Sequence, residues 1–130
     1  MQIIGIGTDI TECTRIERML VNHGESFKQR VFTAQEIEYC GKGKQAVQHF
    51  TGRWSAKEAI LKAMGTGWSD GISWNDIEIL NEISGKPVVT LFNQTLMISH
   101  QLGIKEIQVS ISHCNCHAVA FAVALGNDPV

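Results

Sequence analysis

Apolar positions along the first third of the chain change period twice. Ile3, Ile4 and Ile6, punctuated by Gly5 and Gly7, predict a short strand with Gly5, Gly7 and Asp9 on one side of its pleat. From Ile16 through Met19 and Leu20 the spacing is helical, and Asp9 to Glu12 has capping-box spacing. A strand-to-helix turn is therefore expected near Asp9, with the helix ending at Gly24. Thr33 to Glu36 repeats the capping pattern and predicts a short second helix, closing before the loop Gly41-Lys42-Gly43-Lys44.

Phe50 to Gly67 reads as one long helix. At about 100° per residue, Phe50, Trp54, Ile60, Leu61 and Met64 form an apolar arc, yet Lys57 falls near its middle and Arg53 at its edge. Glu58 and Lys62 flank the opposite edge. The back carries Gly52, Ser55, Ala56, Ala59 and Ala63, small enough for another backbone to approach closely. Charged side chains are rarely buried unless paired or bound, so this helix invites an anionic ligand and a cation. The alternative is an internal Glu58–Lys62 pair with Lys57 snorkelling outward.

Trp68 to Trp74 reads as an irregular connection and Asp76 to Leu80 as a strand. Asn81 to Gly85 suits a turn, Pro87 admits a strand through Val88 to Leu91, and Gln94 to Leu102 suits a helix stopped by Gly103. Ile107, Val109 and Ile111 alternate with polar residues, and Ala118 to Leu125 is nearly all apolar, which predicts an antiparallel hairpin around Asn115. The elements add up to an α+β domain, a mainly antiparallel sheet packed against a long central helix.

The 130 residues, 44% hydrophobic and 18% charged, suit a single domain over 1–130. A formal charge of −2 argues against broad nucleic-acid binding but not against a local basic pocket. No apolar run reaches membrane-spanning length, and MQIIGIGTDI lacks the marks of a secretory peptide, so a cytoplasmic protein with four reduced cysteines is expected. His113-Cys114-Asn115-Cys116-His117 looks like a metal cluster, but one residue between the cysteines suits a zinc hairpin poorly, and a strand turn explains the segment as well.

Five motifs in order, GIGTDI at Gly5 to Ile10, FTAQE at Phe32 to Glu36, GRWSAKEAILKAMGTG at Gly52 to Gly67, GKP at Gly85 to Pro87 and SISH at Ser110 to His113, cover nearly the whole chain. Together they resemble the holo-acyl-carrier-protein synthase type of phosphopantetheinyl transferase. The resemblance implies that family's fold, and transfer of 4′-phosphopantetheine from coenzyme A to a serine of an acyl carrier protein, with release of adenosine 3′,5′-bisphosphate. It implies Asp9 and Glu58 as ligands of Mg²⁺, a cation that suits one or two carboxylates plus substrate phosphates. Lys62 would neutralise the diphosphate, so Asp9, Glu58 and Lys62 form the catalytic set. Arg53, Lys44 and His113 would meet the 3′-phosphate and adenosine end, and Gly65 would pass close to the coenzyme. Lys57 would hold carboxylates in place or touch substrate, and GKP is read as turn chemistry.

The same resemblance implies an acidic carrier docked on Arg15 and Arg18, in a helix of mixed charge, and a homotrimer with active sites between subunits. No membrane or nucleic-acid partner is expected. The competing readings are a transferase serving a polyketide or peptide synthetase carrier, a noncatalytic coenzyme A-binding module, and a small metal-binding protein built on His113 to His117.

Overall fold

A computed structural model describes residues 1–69 and 71–128, so Asp70 of the connection after the central helix lies outside the described residues. The elements run β1 (Gln2–Glu12), α1 (Cys13–Val31), α2 (Ala34–Cys40), α3 (Ala46–Met64), β2 (Ile77–Asn81), β3 (Pro87–Leu91), α4 (Asn93–Gln101), β4 (Ile104–His113) and β5 (His117–Gly126). One antiparallel sheet has the order β1-β5-β4, and β2 and β3 pair antiparallel in a second. The α+β fold read from the sequence is the one formed.

Boundaries differ at β1 and α3. β1 does not turn near Asp9; it stays paired with β5 as far as Glu12 opposite His117. The capping box at Asp9 does not form, and Glu12, at the start of α1, makes no side-chain cap. Ten residues of β5 supply a ladder that outweighs one local cap. Gly24, at φ 44° and ψ −121°, does interrupt the helix as expected: two helical stretches meet at a kink there within α1, and the second carries Phe27 and Val31 into the core. α3 begins at Ala46, a turn before Phe50, and its helix ends at Met64. Thr33 does form the second capping box, accepting from Glu36 N–H while the Glu36 carboxylate accepts from Thr33 N–H.

Small residues let α3 lie close on the sheet. A methyl group built on Gly5 would overlap the Ala63 carbonyl oxygen, and one on Gly7 the Ala59 carbonyl oxygen. Ala118, Ala120, Ala122 and Ala124 of β5 are fully buried beneath the same helix. The opposite sheet face is apolar and uncovered: Ile6 is 59%, Ile10 66%, Val119 40% and Phe121 44% exposed.

Lys57 does not snorkel. It is fully buried and donates to Glu36 Oε1 at 2.7 Å, to Val31 O at 2.6 Å and to Trp74 O at 3.1 Å. Burial pushes its pKa down, and the Glu36 carboxylate opposes that shift. Glu36 also accepts from Ile79 N–H, so the pair ties α1, α2, α3 and β2 together.

Candidate active site

Where α3 crosses β1, the fold brings together Asp9, Glu58 and Lys62. Asp9 lies within β1 opposite Ala120, not at a strand end. Its side chain is fixed from two sides: Ser55 Oγ on α3 donates to Asp9 Oδ2 at 2.9 Å, and Thr11 Oγ1 donates to the same oxygen at 2.7 Å. In the sequence Ser55 reads only as a small residue on the back of the helix, and Thr11 takes no role there, although it lies within the Asp9 to Glu12 span. Lys62 Nζ donates to Thr8 O at 2.9 Å and stands 3.7 Å from Asp9 Oδ1, so it reaches β1 instead of closing a pair within α3.

The pKa of Glu58 is raised, first by burial and then by the Asp9 carboxylate, while Arg15 and Lys62 pull it the other way. A half-buried carboxylate whose charge a neighbouring carboxylate disfavours is a fitting place for a cation, and hard oxygen donors suit Mg²⁺. Among the described residues there is no cluster of three or more His, Cys, Asp or Glu side chains able to hold a metal, so phosphate or water oxygens would have to complete the shell. His113 to His117 is the turn from β4 to β5, where Cys114 N–H bonds His117 O.

The helix ends in Gly65 at φ 77°, a left-handed cap that favours glycine. Its N–H and those of Thr66 and Gly67 all turn back onto carbonyls of Leu61 or Lys62. The cap therefore does not release free amides toward a ligand.

Arg53 belongs to a different wall. Nine residues separate it from Lys62, about 900° of helix, so the two point from nearly opposite sides of α3. Arg53 is 5% exposed; its guanidinium lies 4.6 Å from the Tyr39 ring centre and one of its terminal nitrogens donates to Asn81 Oδ1. His49, one turn earlier, and His113 at the end of β4 face each other with ring centres 6.0 Å apart. Together with Tyr39 and Asn81 they enclose a cavity of about 250 Å³. Lys44 is exposed on the loop before α3. Tyr39, His49 and Asn81 were not singled out in the sequence, because they come from three elements and share no motif.

Arg15 and Arg18 are exposed on α1, and the Arg15 guanidinium lies 5.4 Å from the Trp54 ring centre. Arg15 is close enough to Glu58 to favour its charged form.

The model of a known family, the 4′-phosphopantetheinyl transferase superfamily, matches residues 5–122. The chain belongs to that superfamily. A holo-[acyl-carrier-protein] synthase of Protochlamydia amoebophila is 45% identical over 120 residues, 92% of this chain and 96% of that protein. The structure of holo-[acyl-carrier-protein] synthase from Neisseria meningitidis aligns with a TM-score of 0.87 at 32% identity, covering 95% of this chain and 99% of that one. A holo-(acyl-carrier-protein) synthase from Bacillus anthracis in complex with CoA (3′,5′-ADP) aligns with a TM-score of 0.78 at 36% identity, over 98% and 100% of the two chains. As a phosphopantetheinyl transferase the chain is an enzyme. Among the described residues no helix is long and apolar enough to cross a membrane.

Proposed function

We propose that this chain transfers the 4′-phosphopantetheine group of coenzyme A to a serine of an acyl carrier protein, with Mg²⁺, releasing adenosine 3′,5′-bisphosphate and serving fatty acid synthesis in the cytoplasm. The observation that carries this reading is the convergence of Asp9, Glu58 and Lys62 in a chain 45% identical to a holo-[acyl-carrier-protein] synthase. Asp9, immobilised by Ser55 and Thr11, and Glu58 would hold the cation, which when bound polarises phosphoryl oxygens. Lys62 is anchored through one hydrogen bond to Thr8 O yet 55% exposed, so its charge is available to the diphosphate as the bond from the β-phosphorus to its bridging oxygen breaks. The carrier serine supplies the nucleophile, and no enzyme nucleophile is needed. Arg53, His113 and Lys44 would bind the phosphorylated nucleotide, and Arg15 and Arg18 would meet the acidic carrier.

Because Arg53 and Lys62 face opposite ways, one coenzyme is best served by Asp9, Glu58 and Lys62 of one subunit and the Arg53 pocket of another. The uncovered face of Ile6, Ile10, Val119 and Phe121 supports such a contact, and a homotrimer closes it.

The test is the intact mass of apo-acyl carrier protein incubated with this protein, coenzyme A and Mg²⁺. A phosphopantetheine-sized gain on the carrier, abolished by EDTA, is the expected result. Coenzyme A binding without any gain would instead favour a noncatalytic binder or a different carrier.

A further inference from the structure

The cavity beside Arg53 holds two buried nitrogens without partners: Arg53 Nε and His49 Nδ1. They sit on successive turns of α3, and the same wall stacks both side chains on Tyr39 of α2, whose ring centre is 5.5 Å from that of His49. Facing His49 are Arg53 from α3, Tyr39 from α2 and His113 from β4; no carboxylate lines the cavity among the described residues. Two unsatisfied nitrogens in a pocket whose charges are all basic point to an oxyanion.

We propose that His49 is a further contact for the phosphate monoester on the ribose of coenzyme A and sets this pocket's preference for that phosphate over an unphosphorylated ribose. The inference rests on the assignment of coenzyme A to this chain. Without ligand, burial and the charges of Arg53 and His113 push the His49 pKa down and favour the neutral ring. A phosphate dianion reverses that balance. The imidazole takes a proton from solvent, Nδ1–H and Arg53 Nε–H both donate to phosphate oxygens, and no covalent bond changes. Binding of the phosphorylated ligand thus takes up a proton at His49, whereas the ligand lacking the phosphate leaves the ring neutral.

Calorimetric titrations of coenzyme A and dephospho-coenzyme A into the wild-type protein, His49→Gln and His49→Phe test this at about pH 8 and about pH 6.5. His49→Phe keeps a ring against Tyr39 and guards against misfolding as the cause of any loss. In the wild type the affinity ratio of the two ligands should rise about three- to tenfold toward the lower pH. In both variants the rise should shrink to less than about twofold, with dephospho-coenzyme A bound as before. Every other group of the pocket and the ligand is common to all three proteins, so the difference between them isolates His49. A ratio that climbs equally in all three would overturn the role of His49. Absence of coenzyme A binding to the wild type would overturn the coenzyme assignment, and this inference with it.

Discussion

Gly5 and Gly7 show how much one hydrogen in place of a methyl can decide. Gly7→Ala would drive a side chain into the Ala59 carbonyl, and backbone on both sides leaves little room to give. A loss of about 3 kcal/mol in urea denaturation is expected. Glu58 carries the other single-residue consequence. Its raised pKa means that the metal-free native state holds the proton more tightly than the unfolded chain. Stability is therefore lost as pH rises from the ordinary carboxylate range through the raised value, and a cation relieves that loss. Mg²⁺ should raise Tm more at about pH 7.5 than at about pH 5, with Glu58→Gln abolishing both the gain and the transfer of phosphopantetheine. Asp9, Glu58 and Lys62 stood out locally, as a carboxylate after bare glycines and as charges on an otherwise small or oily helix, but only the family resemblance joined them into one candidate site. His49 was not, since a histidine before Phe50 looks ordinary until Tyr39 and His113 arrive from elsewhere in the fold.

At the scale of elements, the buried Lys57–Glu36 pair is the joint. Lys57→Met would take that donor from the Val31 and Trp74 carbonyls and leave the buried Glu36 carboxylate without its counter-charge, a cost of about 3–5 kcal/mol measurable as a lower denaturation midpoint. The apolar arc with a lysine at its centre announced the anomaly, but its partner lies 21 positions earlier on α2, beyond any periodic signal. The first capping box failed and the second held for one reason. Thr33 precedes a free-standing turn of helix, whereas Asp9 is already committed to a ladder with β5. Local spacing can propose a cap, but only long-range pairing decides whether the backbone is available to use it.

The whole molecule leaves its β1–β5 face bare. Light scattering should show an oligomer, and Phe121→Glu, which places a charge on that face without disturbing the alanines beneath α3, should yield a monomer that has lost transfer. A monomeric wild type at active concentration would overturn the shared site. The opposed directions of Arg53 and Lys62 on α3 also carry a genetic consequence. If one chain lends its metal-side groups and its neighbour the nucleotide pocket, two dead variants can rescue each other. Coexpressing Glu58→Gln with Arg53→Gln should assemble mixed rings in which about one junction in four joins two intact halves, so roughly a quarter of wild-type turnover returns from two proteins that have none alone.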